Sequence, residues 1–230
     1  MYAERASRLT GAVVWRNTLD DDPAVRPVLP DGCMDLLWNG GRLLVAGPDT
    51  HAHVPEGGPA HWAGVRFPPG VGPAVLGVPA YELRDLRVEL TDLWPAADVR
   101  RLGGRIAAAG DPVPALEEVA LACAADADPP DPLLGRLVAA LDAGRPVAVA
   151  ADELGIGARQ LHRRSLAAFG YGPKTLARVL RLQRALALAR GGVPLAATAA
   201  RCGFADQAHL TRDVKELTGL PPGELLGRRQ

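Results

Sequence analysis

Two stretches near the C-terminus of the chain repeat one another, and each has the pattern of a helix-turn-helix. Each copy has a helical segment, a tight turn with a glycine, a second helical segment, a glycine stop and a proline. The aligned pairs are Gly155 and Gly203, then, after one extra residue in the second copy, Leu161 and Leu210, Arg163 and Arg212, Gly170 and Gly219, and Pro173 and Pro222. Two copies joined by one predicted helix constrain the fold more than any other feature of the chain.

The charge of the chain is divided between its two parts. The 230 residues include 26 Lys and Arg and 26 Asp and Glu, so the formal net charge is zero. Residues 133–230 nevertheless carry 15 basic and 7 acidic side chains, and residues 1–132 carry 11 and 19. A basic module of charge +8 beside an acidic one of charge −8 is typical of a nucleic-acid-binding domain joined to a non-binding domain.

Composition favours a protein of the cytoplasm. The chain is 48% hydrophobic but has no charge-free apolar run of about 18 residues, so we expect no transmembrane helix and no membrane partner. The segment from Met1 to Arg8 lacks the apolar core of a signal peptide. Cys33, Cys123 and Cys202 lie far apart and are odd in number, which argues against a disulfide framework and fits a reducing compartment.

The pattern of apolar residues and turns predicts an α+β chain of two domains. A small β-rich domain with a helical connector is expected over residues 1–129, and an all-α double helix-turn-helix domain over 130–230, with the proline-rich stretch 126–132 between them. The predicted strands are 13–15, 33–38, 42–46, 51–54 and 61–67, with a hairpin turn at 39–41. The predicted helices are 81–87, 94–109, 114–125, 133–143, 147–154, 159–169, 173–190, 195–202, 206–217 and 222–226.

The second helix of each copy carries the residue types that read base edges in the major groove. In the first copy Leu161, Leu166 and Phe169 are expected to face inward, and in the second copy Leu210, Val214 and Leu217. Arginine binds guanine with two hydrogen bonds, glutamine binds adenine, and threonine contacts the thymine methyl group. The base-reading candidates are Arg159, His162 and Arg163 in the first copy, and Gln207, His209, Thr211 and Arg212 in the second.

Other basic residues suit the DNA backbone better than the bases. Arg164, Lys174, Arg178 and Lys215 are the candidates for phosphate contacts, with a plain solvated charge as the alternative for each. Arg163 and Arg212 occupy the same position of the repeat, which indicates a shared role. That role is either base reading or a scaffold salt bridge to Asp152 or Asp206.

At these residues the chain resembles the AraC/XylS family of bacterial transcription regulators, over about residues 133–227. The second copy, from Gly203-Phe204 through Asp206, Arg212, Lys215 and Gly219 to Pro222, is similar to the more specific signature of that family. The first copy departs from it, with Gly157 where the family has a helix-capping Ser and Ser165 where it has Phe. Segments 29–37, 47–50 and 64–70 resemble a front domain found on some of these regulators. The resemblance implies double-stranded DNA as partner and an effector-sensing or dimerising role for the front domain. RNA polymerase would be a further partner of an activator.

The front domain offers candidates for a small-molecule site but no convincing metal or cofactor site. Its aromatic residues and one cysteine could line an apolar effector pocket, with core packing as the competing interpretation: Trp15, Cys33, Trp38, Trp62, Phe67 and Tyr81. Cys33 could also be a reactive thiol. His51, His53 and His61 with Cys33 lack the spacing of a metal site, so neither a metal nor a cofactor is predicted.

Three classes of function compete at this point. The first is a sequence-specific DNA-binding regulator that responds to an effector. The second is an enzyme, for which Asp31 and Asp35 with His51 and His61 would form the only carboxylate–imidazole set, without a nucleophile elbow or a phosphate loop. The third is a small-molecule-binding or thiol-sensing protein whose helical domain docks a protein partner. Because an adaptor has no need of a charge of +8 on the repeat, the sequence favours a DNA-binding regulator that is not an enzyme.

Overall fold

A computed structural model describes residues 1–19, 27–55 and 60–227 of the chain. One antiparallel sheet lies in the N-terminal half, with the strand order β1-β2-β5-β3-β4-β6. Its strands are β1 Tyr2–Ala6, β2 Val13–Leu19, β3 Met34–Asn39, β4 Arg42–Ala46, β5 Ala60–Phe67 and β6 Arg87–Glu89. Helices follow the sheet in the chain, so the predicted α+β class is confirmed.

The central hairpin of the sheet forms where the sequence predicts it. Strands β3 and β4 pair from Asp35 opposite Ala46 to Asn39 opposite Arg42. The two residues between the strands, Gly40 and Gly41, have φ angles of +55° and +101°. A two-residue turn with positive φ at both positions matches the right-handed twist of paired strands, and glycine adopts it without steric cost.

One face of the sheet, the inner face, builds the core of the front domain. Alternate residues of the strands point to this face and pack under the helices α1 Gly72–Leu76, α2 Ala96–Ala108 and α3 Pro112–Asp126. Short 3₁₀ turns at Ala80–Glu82 and Leu90–Asp92 connect the elements. The buried residues include Val14, Leu36, Trp38, Val45, Val65, Phe67, Leu76, Ile106 and Leu116. Asp111 begins α3 by accepting a hydrogen bond from the Val113 amide.

Several details of the front domain differ from the sequence prediction. The edge strands β1 and β6 and helix α1 were not predicted, and residues 51–54 form only a single bridge between His53 and Val28 instead of a strand. The expected helix over 81–87 is a 3₁₀ turn at Ala80–Glu82 followed by the start of β6. The cause is long-range pairing: β1 is polar and exposed throughout and is defined by its partner β2.

The C-terminal half is entirely helical, as predicted. Its helices are α4 Pro132–Asp142, α5 Val147–Glu153, α6 Ala158–Phe169, α7 Pro173–Arg190, α8 Leu195–Arg201, α9 Gln207–Thr218 and α10 Pro222–Gly227. Asp131 caps α4 through the Leu133 amide, after the connecting residues 127–131. Gly170 and Gly219 end α6 and α9 with left-handed φ angles of +78° and +73°. No helix of the described residues is both long and apolar enough to cross a membrane.

A buried carboxylate ties the first strand to helix α3. Glu117 is 1% exposed, and its carboxylate accepts hydrogen bonds from Arg5 Nη2 at 2.9 Å, Ser7 Oγ at 2.8 Å and the Arg8 amide at 2.8 Å. The hydrogen bond from Arg5, with those from Arg8 and Ser7, lowers the pKa of Glu117 to about 2 despite its burial. Glu117 thus links the end of β1 and the residues after it to α3, in addition to the pairing of β1 with β2.

We predict that Glu117→Ala lowers the free energy of unfolding by about 2–4 kcal/mol, because it leaves the Arg8 amide and the Ser7 hydroxyl without their acceptor. Glu118→Ala is the matched control, since Glu118 is 57% exposed and its ion pair with Arg8 lies in water. Urea unfolding of the two variants provides the comparison. Equal effects would contradict this role of Glu117.

The stability that Glu117 provides should depend on pH. The folded pKa lies below the ordinary value of 4.5, so the contribution is complete above that value and is lost as the pH falls toward about 2. Glu117→Gln should therefore be less sensitive to acid than the parent between about pH 5 and about pH 3. Parallel slopes of unfolding free energy against pH would refute the assignment.

Candidate nucleic-acid interface

The first helix-turn-helix unit consists of α5 and α6. Leu161, Ser165 and Phe169 are buried, whereas Leu166, expected inside, is only half-buried. The small side chain of Ser165 therefore lies in the core, and its hydroxyl has no hydrogen-bond partner in the described part of the chain. Gly157 begins α6 without a side-chain cap, as expected from the loss of the family serine.

The candidate reading face of α6 is open to solvent. Arg159, His162 and Arg163 are all exposed, on the side of the helix opposite Leu161. His162 lies beside the turn that follows the helix. A Cβ added at Gly172, in that turn, would be 3.0 Å from the His162 ring. Arg159 and Arg163 lie about one turn apart on this exposed face.

The second unit, α8 and α9, has a better defined helix start. Asp206 caps α9 by accepting a hydrogen bond from the His209 amide at 2.6 Å. Gln207 and Arg212 are exposed. Thr211 is half-buried, and its hydroxyl donates to the Gln207 carbonyl at 2.9 Å, which leaves the methyl group for an outside contact. Gln207, Thr211 and Arg212 thus occupy the first turns of α9.

His209 faces its own domain more than solvent. Its ring meets the Phe204 ring edge to face at 5.3 Å between centroids, and its Nδ1 accepts a hydrogen bond from the Ala205 amide at 3.3 Å. These contacts make His209 part of the turn before α9. Of the four candidates in this unit it is the least available to DNA.

The equivalent arginines of the two units have no acidic partner. Among the described residues neither Arg163 nor Arg212 forms an ion pair, and both are exposed. The scaffold alternative, a salt bridge to Asp152 or Asp206, does not form in this structure. Both guanidinium groups keep the free donors that base or phosphate recognition needs.

The phosphate candidates divide into free and paired residues. Lys174 and Lys215 are exposed, at the first turn of α7 and in α9. Arg164 donates to Asp131 at 3.2 Å and so ties α6 to the cap of α4. Arg178 pairs with Asp213 and, at 2.6 Å, with Glu216. Arg164 and Arg178 therefore already have a structural role.

A buried acid that the sequence analysis missed holds α9 against α7. Asp213 is 7% exposed and accepts hydrogen bonds from both Arg178 and Arg181, the latter at 2.9 Å. The guanidinium of Arg181 also lies over the Phe204 ring, 4.2 Å from its centre. The signal in the sequence is an acid flanked by apolar positions of α9, together with two arginines three residues apart on α7. This network sets the angle of the second reading helix.

The effector candidates do not line one cavity. Trp38 and Phe67 are buried in the core of the inner face, Tyr81 is half exposed on a 3₁₀ turn, and Cys33 lies in the loop before β3. Only Trp15 and Trp62 come together, on the opposite or outer face of the sheet. The sequence alone cannot show which of these candidates share a face of the sheet, because the face that each residue points to depends on strand register.

On the outer face Trp15 and Trp62 pack on Leu37, Leu44 and Ala46. The indole of Trp15 lies across Gly64, where a Cβ would come within 2.4 Å of the ring. Its Nε1 donates to Asp35 at 2.7 Å. Asp35 in turn lies 3.3 Å from Arg66 Nε, and burial raises the pKa of Asp35 while Arg66 opposes that effect. In the described residues no group of three His, Cys, Asp or Glu is placed to hold a metal ion.

Comparisons with known proteins agree with this arrangement. A "Helix-turn-helix domain" family model matches residues 150–228, and a "Domain of unknown function (DUF6597)" model matches residues 12–89. A search of curated proteins gives no match.

Among solved structures, a probable AraC family transcriptional regulator from Rhodopseudomonas palustris is 28% identical, with 43% of this chain and 97% of that chain covered and a TM-score of 0.37. An apo form of ToxT from Vibrio cholerae is 14% identical, with 96% and 99% covered and a TM-score of 0.49. Unsaturated fatty acid-bound ToxT is 13% identical, with 96% of each chain covered and a TM-score of 0.48.

Tandem helix-turn-helix units with exposed basic reading faces define a DNA-binding transcription regulator. The matches specify the type further: residues 150–228 form a helix-turn-helix domain of the AraC type, and residues 12–89 form a DUF6597 domain in front of it.

We predict that Asp213→Ala lowers the free energy of unfolding by about 2–4 kcal/mol, because Arg178 and Arg181 lose a buried common partner. Glu216→Ala is the control: its carboxylate also pairs with Arg178 but is 70% exposed, so its loss should cost less than about 1 kcal/mol. Denaturant unfolding followed by circular dichroism measures both values. If the two variants lose similar stability, Asp213 does not hold α9.

Proposed function

We propose that this regulator reads a bipartite DNA site as a single chain, with one half-site for each helix-turn-helix unit. The observation that carries the proposal is the pair of unpaired, exposed arginines, Arg163 and Arg212, at equivalent positions of units joined by the single helix α7. Two reading helices on one rigid support can enter successive major grooves, about 34 Å apart along one side of B-DNA.

The two units are suited to different bases. In the first unit Arg159 and Arg163 present guanidinium forks, which favour guanine O6 and N7. In the second unit Gln207 suits adenine, and the methyl group of Thr211 suits thymine, because its hydroxyl is already bonded to the helix backbone. Lys174 and Lys215 are proposed to contact phosphates. Arg164 and Arg178 would do so only if DNA replaced their acidic partners.

The front domain is proposed to sense a small molecule and to span residues 1–129, with the DNA-binding domain at 130–230. The half-exposed Trp15 and Trp62 on the apolar outer face support this location for an effector. Contact with RNA polymerase, if the protein activates, and pairing with a second copy belong to the same proposal. Three free cysteines fit a cytoplasmic site of action.

The thiol-sensing alternative receives less support. Burial raises the pKa of the Cys33 thiol well above its ordinary value, and the carboxylates of Asp31 and Asp35 raise it further. Because the thiolate is the reactive form, this environment suppresses reaction with oxidants. A partner protein docked on the helices would also not require the exposed arginines of both units.

We expect Arg163→Ala and Gln207→Ala each to relax base preference in one half-site only. The experiment selects duplexes from a random pool on the parent protein, then repeats the selection on each variant. Loss of a bidentate base contact should reduce discrimination at that position by about 1–3 kcal/mol. Binding should also weaken steeply with salt concentration.

The control is Arg136→Ala, an exposed arginine on α4 that removes the same charge away from both reading helices. It should leave the selected sequence unchanged. Unaltered preference in Arg163→Ala and Gln207→Ala would reject the assignment of the reading residues, and a parent protein that selects no duplex would reject DNA reading itself.

Ligand binding on the outer face should be visible in tryptophan fluorescence. We expect a compound that binds there, from a panel of small apolar compounds, to change the emission of the parent more than that of Trp62→Phe, in which Trp15 alone still reports on this face. Trp94→Phe serves as the control, because the Trp94 indole donates to the Leu76 carbonyl at 2.9 Å and packs against the core of the inner face. An equal response in all three proteins would place the effector elsewhere.

A further inference from the structure

Three front-domain motifs meet at one place, the boundary with the helical half. The segments 29–37, 47–50 and 64–70 were notable in the sequence, yet none of them lies in the DNA interface. In the structure each contributes a residue that touches the turn between α6 and α7 or the start of α7: Gly32, Pro48 and Gly70. We define this contact region as the seam.

The centre of the seam is the glycine that ends the first reading helix. Gly170 is buried, and a Cβ added there would lie 2.7 Å from Pro48 Cγ and 3.1 Å from the Ala80 carbonyl oxygen. A Cβ at Gly70 would lie 3.0 Å from the Phe169 ring. Arg84 Nη1 approaches the Gly170 carbonyl at 3.5 Å. The front domain thus packs directly on the end of α6.

Tyr171, next to this glycine, packs in the core of the first unit and extends its hydroxyl to the front domain. It is 2% exposed, and its hydroxyl would lie 3.6 Å from a Cβ at Gly32. A Cβ at Gly32 would also lie 3.5 Å from Leu176 Cδ1. Among the described residues the hydroxyl has no hydrogen-bond partner, and burial raises its pKa. Tyr171 therefore contributes through packing.

The seam continues to the second unit. The Ala52 amide donates to the Leu217 carbonyl at 2.8 Å, at the C-terminal end of α9. Leu29 packs against the core formed by α7, α8 and α9, and the side-chain amide of Gln183 donates to the Pro30 carbonyl. One front domain consequently contacts the ends of both reading helices and the helix between them.

The seam leaves the candidate reading faces free. Its contacts on α6 and α9 lie at Phe169–Tyr171 and Leu217, at the C-terminal ends of the helices. Arg159 and Arg163, near the start of α6, and Gln207 and Arg212, in α9, are exposed while the front domain is docked. The docked arrangement is therefore compatible with access to DNA.

We propose that the three motifs form a docking surface for the chain's own helix-turn-helix units, and that docking braces the two reading helices at a fixed separation. This inference rests on the proposed reading of a bipartite site. Two linked modules bind a double site more tightly when their geometry is already correct, because less freedom is lost on binding. The brace should therefore raise affinity for the full site and leave the affinity of each half-site unchanged.

The repeat itself supplies a matched pair of variants. Gly170 and Gly219 are equivalent helix ends with φ angles of +78° and +73°, so alanine meets the same backbone strain at both. Only at Gly170 does the added Cβ meet the front domain, since nothing lies within 4 Å of a Cβ at Gly219. Gln183→Ala provides a second way to weaken the seam without altering any helix end.

The experiment measures two quantities on the full chain. Hydrogen exchange of the Ala52 amide reports docking without DNA, and titration reports affinity for a duplex selected on the parent protein and for each half of that duplex. In Gly170→Ala and Gln183→Ala we expect faster Ala52 exchange and about tenfold weaker binding of the full duplex, with half-site affinities within about twofold. Gly219→Ala should not accelerate Ala52 exchange as Gly170→Ala does.

Each of the other outcomes rejects one part of the proposal. Unchanged Ala52 exchange in both seam variants rejects the docking surface. Faster exchange with unchanged or tighter full-site binding rejects the brace, while half-site binding by the parent keeps DNA reading intact. If the parent binds no selected duplex, the proposed function fails with the brace, and the exchange result still decides the docking surface. If the Gly170→Ala protein does not fold, the Gln183→Ala variant alone provides the test.

Discussion

Helix α7 is the constraint on which the C-terminal half depends, because one helix serves two hydrophobic cores. Its first half buries Leu176, Val179 and Leu180 in the core of the first unit. Its second half buries Leu182, Ala185 and Leu186 in the core of the second. Neither unit can turn relative to the other unless one of these sets of side chains leaves its core. The separation of the two reading helices is thus coupled to the packing of a single helix.

The arginines of this half divide into two groups by what surrounds them. The arginines on α7, Arg178 and Arg181, both form ion pairs with the buried Asp213, so their positive charge is compensated within the protein. Arg163 and Arg212 are exposed and form no ion pair with any residue that the structure describes. The count of 15 basic side chains therefore overstates the number that are free to contact DNA. Spacing in the sequence cannot separate the groups, because the acid that pairs α7 with α9 lies more than thirty residues away.

Sequence reasoning succeeded where structure is local and failed where it is not. Helices α4–α10 follow from glycine stops, prolines and apolar periodicity within each segment, and the family signature follows from residues within about twenty positions of one another. The β3–β4 hairpin likewise follows from its turn. Strands β1 and β6 exist only through pairing with β2 and β4, and the facing of Trp15 and Trp38 to opposite sides depends on register across three strands. Asp213 was missed for the same reason.

The two units also differ in how many of their stabilising contacts come from within the unit itself. The second has Asp206 as a cap for α9 and Asp213 as a buried anchor. The first has neither: Gly157 gives α6 no side-chain cap, and Ser165 places in the core a hydroxyl without a hydrogen-bond partner among the described residues. What the first unit has instead is the front domain, packed on Gly170 and Tyr171 at the other end of the same helix. The unit that is weaker in itself is the one that the front domain supports most closely. A change in the packing of the front domain would therefore act on the end of α6 at Gly170 and on the end of α9 at Leu217.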